Sequence, residues 1–192
     1  TDLDTNCTVE SALMRWVNDK NDNYKLGIIA STDDHHGRPG SVIEDSANLL
    51  IGQPTTGGLT AVYASSKTRE SIFDAIKDRR CYATTGPRIK LQFIAQTGFE
   101  EAIMGQTLTV ASGTTVTFQV AGVGDGVAVD SIQLIANGAV ITTQKGDVLS
   151  YSQKVSTNTY FRAKLYQAPT LRYDGVRAPE RAWSSPIWVV VR

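Results

Sequence analysis

Residues 88–192 restrict the fold more than any other part of the sequence, because short segments of alternating apolar and polar side chains follow one another there between turn residues. This alternation is typical of strands that bury one face. Asn137-Gly138 separates two of these segments and is the strongest short signal for a two-residue hairpin. Since no helical period interrupts the pattern, the sequence predicts an antiparallel β-sandwich of about 100 residues. The predicted strands cover residues 90–95, 107–110, 115–120, 132–136, 140–143, 151–154, 159–166 and 186–191.

Residues 1–87 follow a different pattern, in which helical periods and short apolar runs take turns. The predicted elements are a helix from the N-cap Thr8 to Asn18, a buried strand over residues 26–30, a buried strand over residues 59–64 and a helix from Thr68 to Arg79. In the second helix, Ile72, Phe73 and Ile76 are expected to face the core. A helix followed by a strand is the unit of a parallel sheet, and a lone unit cannot cover its own apolar surfaces. We therefore expect the beginning of the chain to be truncated.

Four side chains that can bind metal follow directly on the predicted strand over residues 26–30. They are Asp33, Asp34, His35 and His36, and they include both histidines of the chain. Parallel α/β folds place their ligands and catalytic groups at this end of the strands. In extended backbone, residues two apart point the same way, so Asp33 with His35, or Asp34 with His36, could bind one cation.

A carboxylate oxygen paired with an imidazole nitrogen suits zinc, manganese or iron better than calcium, which prefers oxygen ligands alone. A catalytic zinc usually has three protein ligands, so the remaining ligands would have to come from elsewhere. The alternative is that these four residues only form a turn, because Asp favours tight turns through hydrogen bonds from its side chain to the backbone. The sequence pattern alone leaves both interpretations open.

The chain has no net charge, because 19 Lys and Arg residues balance 19 Asp and Glu residues. It therefore has no excess positive charge to attract nucleic acid or anionic membranes. The apolar runs are too short to cross a membrane, and residues 1–30 show no signal-peptide pattern. We therefore expect a soluble chain whose partners include neither nucleic acid nor a membrane. Cys7 and Cys81 are too few and too far apart to define a disulfide framework, so they leave the compartment open.

Four stretches of the sequence, in order, resemble one family. They read GIIASTDDHHGRPGS, GGLTAVYA, TRESIFDAIKDRRCYATTGPRI and AWSSPIWV. They are similar to the carboxyl-terminal portion of bacterial proteins with a domain of unknown function, DUF3604, which are relatives of the PHP (polymerase and histidinol phosphatase) metal-dependent phosphoesterases. PHP domains are distorted (β/α) barrels that hold several metal ions. The resemblance therefore implies an α+β fold, with a partial (β/α) barrel over residues 1–87 and an antiparallel β-sandwich over residues 88–192.

The resemblance also implies roles for the residues of the cluster. Asp33 and His35 match the D-x-H motif that supplies metal ligands at a strand end in PHP domains. Asp34 fills the variable middle position, His36 falls outside the motif, and Arg38 is expected near the substrate. In a complete protein, a divalent Zn, Mn or Fe ion would activate water for attack on a phosphorylated or ester small molecule.

The early H-x-H motif, the intermediate histidines and the bridging glutamate of PHP domains have no counterpart here, because the chain has two histidines in one cluster. The main hypothesis is therefore a carboxyl-terminal fragment of a PHP-like hydrolase, nearly inactive by itself. An amino-terminal barrel fragment or self-association would cover apolar surface around residues 26–30. A second hypothesis makes the β-sandwich an interaction or carbohydrate-binding module without a catalytic role. A third makes the chain a fragment left by proteolysis.

Overall fold

The computed structural model describes residues 8–32, 57–171 and 177–192, which form β-sheets with two α-helices and one 3₁₀ helix. The helices are α1 (Val9–Asp19), the 3₁₀ helix (Asp22–Tyr24) and α2 (Arg69–Lys77). The strands are β1 (Leu59–Val62), β2 (Cys81–Thr84), β3 (Lys90–Gln96), β4 (Glu101–Ile103), β5 (Thr107–Val110), β6 (Thr114–Val123), β7 (Val129–Ala136), β8 (Ala139–Lys145), β9 (Val148–Val155), β10 (Thr159–Gln167), β11 (Thr170–Leu171), β12 (Arg177–Ala178), β13 (Arg181–Ser184) and β14 (Ile187–Val191). None of the helices described is long and apolar enough to cross a membrane.

Most strands belong to one of two sheets. The large sheet has the order β1-β2-β13-β10-β14-β5, and it continues from the other edge of β10 through β7 to β8. The small sheet has the order β4-β3-β6-β9, and β11 pairs with β12 in a separate ribbon. Neighbouring strands run antiparallel except β14 and β5, which are parallel. The predicted β-sandwich is therefore confirmed.

The hairpin predicted at Asn137-Gly138 joins β7 to β8. Both residues have positive φ angles, 46° and 83°, as a type I′ turn requires. The turn is also tied to β10, because the backbone N–H of Tyr160 donates to Asn137 Oδ1 (3.1 Å). Local turn chemistry and a contact with a central strand therefore fix the same register.

The main core fills the space between the two sheets. The ring centroids of Phe93 and Phe118 are 6.4 Å apart, and those of Phe118 and Phe161 are 4.1 Å apart. All three side chains are fully buried, and burial of such a side chain contributes about 1.5–3 kcal/mol. Alternating burial along β6 shows that one face of this strand packs on the core while the other faces solvent. The sandwich therefore has a closed core of its own.

A smaller core lies on the outer face of the large sheet, under α1. Leu13 and Trp16 of α1 pack there against Tyr160 and Trp188, which belong to β10 and β14. Thr8 caps the helix by accepting a hydrogen bond from the N–H of Ser11 (3.1 Å). Because α1 covers this face, β10 is buried on both faces. The predicted helix after Thr8 is confirmed.

The predicted partial (β/α) barrel is wrong for the described residues, because β1 and β2 pair antiparallel although α2 lies between them. The N–H of Tyr63 donates to the carbonyl of Arg80 (2.8 Å), so the ladder of this hairpin continues to the point where α2 is inserted. β2 then pairs with β13, which places it in the large sheet. The order strand, helix, strand is compatible with a hairpin that carries a helix in its loop. The predicted domain boundary at residue 87 stays a prediction.

Candidate interaction surface

The predicted metal site and its surroundings lie outside the described residues. This applies to Asp33 and His35 and to the additional candidates Asp34, His36 and Arg38. Within residues 8–32, 57–171 and 177–192, no group of three or more His, Cys, Asp or Glu side chains could hold a metal ion. Metal binding by Asp33 and His35 therefore stays a prediction. Among the described residues, the candidate site is an exposed apolar surface on α2.

α2 is held in place by its two ends and by one small side chain. Thr68 Oγ1 accepts a hydrogen bond from a backbone N–H of the first turn (3.2 Å). Ala75 is fully buried, and its short side chain lets the helix backbone approach β1 closely. The helix ends in a Schellman motif, in which Arg79 has a φ of 61°. The backbone N–H of Arg79 donates to the carbonyl of Ile76 (2.9 Å), and the backbone N–H of Arg80 donates to the carbonyl of Ala75 (2.8 Å). Of the large apolar residues of α2, Ile72 and Ile76 are half-buried and Phe73 is mostly exposed.

These large residues, Ile72, Phe73 and Ile76, are exposed to solvent, and Phe73 is 63% exposed. The expectation that they face the core is therefore wrong. At 100° per residue, their positions fall within about 100° of the helix circumference, so they form one apolar face. The sequence period located this face correctly, but Ala75 at its margin is the residue that packs on the sheet.

The segment over residues 25–32 crosses the large sheet beside α2 without forming a described strand. The N–H of Ile28 donates to Ser185 Oγ (2.9 Å), and the N–H of Ala30 donates to Thr60 Oγ1 (3.1 Å). Alternate N–H groups therefore face the sheet, as in extended backbone. Ile29 lies between these two anchors and is 66% exposed. The predicted strand buried on both faces is wrong, because hydroxyl side chains rather than neighbouring strands bond its backbone.

Arg79 connects this segment to α2 and to the sheet. A Cβ built on Gly27 would lie 3.1 Å from Arg79 Cβ, so the segment passes directly over this residue. The guanidinium of Arg79 lies 5.5 Å from the centre of the Trp188 ring, within the range of a cation–π contact. A Cβ on Gly105 would lie 2.5 Å from the carbonyl of Arg79, which shows how tightly its backbone is packed. Arg79 therefore fixes the position of the segment relative to the end of α2.

We call the exposed apolar face of α2 the α2 surface. Its members are Ile72, Phe73 and Ile76. Apolar side chains without polar groups supply no general acid, general base or nucleophile, so the chemistry of this surface is limited to hydrophobic contact. Contiguous apolar surface on a soluble protein commonly marks a site of interaction with another molecule.

A polar depression of about 430 Å³ adjoins the carboxyl-terminal end of α2. It is lined by Asp78, Arg79, Glu101, Gly105, Gln106 and Thr107. Its ionisable groups carry both signs of charge, and Arg79 already contacts the Trp188 ring. The depression therefore favours no particular class of ligand.

A buried charge under α1 was not predicted from the sequence. Arg162 on β10 is 6% exposed, and its guanidinium forms an ion pair with the carboxylate of Glu10. Burial lowers the pKa of Arg162, whereas burial raises the pKa of neighbouring Tyr160 from its usual 10.0 to about 12. The alternating pattern of β10 predicted that one face of the strand is buried. Arg162 lies on the opposite face, which is buried only because α1 packs on it. This pair attaches α1 to the sandwich and forms no open site.

Comparison with known families supports part of the resemblance described above. The sequence model of the family described as "Protein of unknown function (DUF3604)" matches residues 43–125. This range includes α2 and all the strands from β1 to the end of β6. It provides no link to the PHP phosphoesterases.

Three chlamydial proteins with no assigned function are similar to this chain. The Chlamydia pneumoniae protein is 34% identical over 148 residues, which cover 69% of this chain and 22% of that protein. The Chlamydia muridarum and Chlamydia trachomatis proteins are each 28% identical over 193 residues, which cover 95% of this chain and 28% of those proteins. The chain therefore spans 22% to 28% of the length of these relatives.

Among solved structures, the fibronectin(III)-like modules of Clostridium thermocellum CbhA match with a TM-score of 0.35 and 12% identity. The match covers 54% of this chain and 96% of that one.

The family match and the fold correct the predicted description of the chain as a PHP-type hydrolase or phosphoesterase. The matching family has no assigned function. The described residues form mainly antiparallel sheets without a metal-binding cluster. What the described part of the chain offers instead is the α2 surface.

Proposed function

We propose that this chain is a non-catalytic interaction module, in which the β-sandwich holds the α2 surface in place for contact with another folded protein. The observation that carries the proposal is the exposed apolar face of α2, on which Phe73 is 63% exposed beside Ile72 and Ile76. Exposure of such side chains to water is unfavourable by about 25 cal/mol for each Å² of apolar area. Contact with a partner would remove this area from water and recover that free energy.

The way α2 is anchored supports this proposal. Ala75 packs on the sheet, and the Thr68 cap and the Schellman motif define the helix ends, so the exposed parts of its three large apolar residues can contact a partner. The closed core of the sandwich also makes the module a stable platform, because Phe93, Phe118 and Phe161 are buried without any contribution from α2. Partner binding and folding would therefore depend on different side chains.

The test is the double substitution Phe73→Ser/Ile76→Ser in the isolated chain. Ser, Phe and Ile have similar helix propensities, so the exposed helix should persist. We expect the free energy of unfolding in urea to fall by about 1–2 kcal/mol at most, because Phe73 and Ile76 are 63% and 46% exposed and so lose only part of their contacts. Binding of the apolar dye bis-ANS to the native protein should fall, because the dye binds exposed apolar surface.

Two control variants define the scale of these measurements. Phe118→Ala removes a core side chain and should lower the free energy of unfolding by about 3–5 kcal/mol. Phe99→Ser changes a single fully exposed residue in the turn between β3 and β4, so it should leave stability unchanged and lower dye binding less than the double substitution does. Loss of several kcal/mol in Phe73→Ser/Ile76→Ser would show that the apolar face belongs to the chain's own core, and the proposal would be wrong.

A further inference from the structure

We infer that α1 is a detachable cover, which leaves the large sheet as a unit while the β-sandwich stays folded. Three observations support the inference. The core under α1 is separate from the main core, the sheet face under α1 carries polar groups without partners, and side-chain bonds join α1 to the 3₁₀ helix in one small body.

The small core under α1 and the main core share no residue among those that the structure describes. Leu13 and Trp16 of α1 pack against Tyr160 and Trp188, and all four are at most 3% exposed. The main core contains no residue of α1. Detachment of α1 would therefore leave the packing between the two sheets unchanged. Because few apolar side chains hold α1, its opening should cost less free energy than unfolding of the sandwich.

Three polar atoms on the sheet face under α1 have no hydrogen-bond partner in the described part of the chain. They are Tyr160 Oη, Arg162 Nε and Trp188 Nε1, and each atom is buried. Tyr160 pairs with Trp188 in the ladder between β10 and β14, and Arg162 follows two positions later on the same face of β10. A buried donor without a partner loses the hydrogen bond that it makes with water. Hydration of these donors would therefore offset part of the cost of opening.

The ion pair between Glu10 and Arg162 behaves in the same way. Arg162 is buried and Glu10 is partly exposed while α1 is docked. The desolvation penalty of a buried pair can equal or exceed the attraction between its charges. When α1 leaves with Glu10, both ions regain water. The pair therefore orients α1 on the sheet and adds little to the net free energy of docking.

α1 and the 3₁₀ helix form one body. Trp16 Nε1 donates to Asp22 Oδ1 (3.1 Å), and Arg15 Nη1 donates to Tyr24 Oη (3.1 Å). The guanidinium of Arg15 also lies 5.5 Å from the centre of the Tyr24 ring, within the range of a cation–π contact. These contacts do not involve the sheet, so they can persist at the moment when the body leaves it.

The chain is fastened to the sheet directly after this body. Lys25 Nζ donates to Thr107 Oγ1 on β5 (3.1 Å), and the backbone N–H of Ile28 donates to Ser185 Oγ (2.9 Å). The first of these bonds comes from a long side chain, which can follow a movement of the backbone. The second holds the backbone itself. Residues 25–27 are therefore the hinge about which the body turns.

Opening would expose an aromatic strip with a positive charge. The rings of Tyr160 and Trp188 lie side by side on β10 and β14, and Arg162 lies next to them. In the closed state Glu10 neutralises this charge, and Leu13 and Trp16 cover the rings. The cover thus hides a second surface, which is independent of the α2 surface and of the proposed function.

The test is native-state hydrogen exchange of backbone amides in the isolated chain. A free helix of 11 residues is marginally stable in water, so the amides of α1 should all exchange once it detaches. We expect residues 13–19 to share one opening equilibrium constant, about 100-fold or more above that of residues 116–120 in β6. Low urea concentrations should accelerate exchange at residues 116–120 more strongly, because global unfolding exposes more surface.

Three variants separate detachment from global unfolding. Ile132→Val, in the main core, destabilises the closed and open forms equally, so exchange should accelerate about fivefold at residues 116–120 and stay unchanged at residues 13–19. Leu13→Ala weakens only the closed form, so exchange at residues 13–19 should accelerate by a common factor of at least about tenfold. Val9→Ala, at an exposed position of the same helix, is the matched control and should change this exchange less than about threefold.

Two outcomes would overturn the inference. If Ile132→Val accelerates exchange equally at residues 13–19 and 116–120, α1 opens only when the whole fold opens. If exchange instead rises steadily toward the ends of α1 and Leu13→Ala leaves its middle unchanged, the helix frays while it stays docked. Neither outcome bears on the α2 surface, because these variants change none of its residues.

Discussion

Arg162 is a buried charged residue, and it requires a neighbour of opposite charge. It lies under α1 at 6% exposure, and the carboxylate of Glu10 neutralises its charge. Removing one partner of a buried ion pair leaves an uncompensated charge, which typically costs about 3–5 kcal/mol. Because Glu10 is partly exposed, we expect Glu10→Gln to lower the free energy of unfolding in urea by about 3 kcal/mol.

The double variant Glu10→Gln/Arg162→Met is the matched control for this prediction. It removes both charges and keeps an apolar stem of similar length, so most of the lost stability should return. Equal stability of Glu10→Gln and the original chain would contradict the role assigned to the pair. It would mean that solvent or another group compensates the charge of Arg162.

Asp33 and His35 carry the prediction that depends on sequence alone. Two protein ligands are fewer than a catalytic zinc site requires, so zinc binding to the isolated chain should be weak. In a calorimetric titration with zinc, we expect Asp33→Ala/His35→Ala to abolish binding and the matched variant Asp34→Ala/His36→Ala to preserve it. Equal loss in both double variants, or equal retention, would reject the specific pairing of Asp33 with His35.

At the scale of the element, β10 depends on its cover by α1. Burial raises the pKa of Tyr160 to about 12, so the folded state holds the phenolic proton more tightly than the unfolded chain does. The resulting stability is complete below about pH 10 and is lost as the pH rises toward about 12. We expect the free energy of unfolding to fall less between about pH 8 and about pH 11 in Tyr160→Phe than in the original chain.

Tyr160 Oη has no hydrogen-bond partner among the described residues, so its removal should cost little at neutral pH. The comparison of the two pH values within each protein cancels contributions that the two proteins share, such as the raised pKa of Tyr63. Identical losses in Tyr160→Phe and the original chain would show that Tyr160 does not ionise in this range.

Local signals in the sequence were sufficient for the helices and the hairpin. Thr8 and Thr68 cap α1 and α2 as predicted, because a cap is decided within a few neighbouring residues. Asn137-Gly138 fixes its turn for the same reason, since few other residues adopt positive φ angles there. Features determined by contacts within four or five residues were therefore predictable.

Features determined by distant contacts were not. The apolar run over residues 26–30 has the composition of a buried strand, but its backbone bonds to the hydroxyl groups of Thr60 and Ser185. The period of α2 shows that an apolar face exists and does not show what covers it. Arg162 occupies a strand position that only the packing of α1 makes interior.

At the scale of the whole molecule, pairing direction separates the observed fold from the predicted one. A strand, a helix and a second strand can build either a parallel unit or a hairpin with a helix in its loop, and the sequence order is the same in both. The antiparallel ladder between β1 and β2 identifies the hairpin. β1 and β2 therefore extend the large sheet, and α2 packs beside β1 at the margin of that sheet.

The similar chlamydial proteins are much longer than this chain. Alignments that cover nearly the whole chain cover 28% of the Chlamydia muridarum and Chlamydia trachomatis proteins. The proposed function assigns folding to the core between the sheets and association to the α2 surface.

The most direct test of these assignments is the rate of thiol labelling of Phe73→Cys in the isolated chain. We predict that this cysteine reacts nearly as fast as one at position 99, because both side chains are exposed in the isolated module. Buried Cys81 should react far more slowly in the same sample. If the cysteine at position 73 reacts as slowly as Cys81 in the monomeric chain, α2 packs its apolar face on the chain itself, and the α2 surface is not available for a partner.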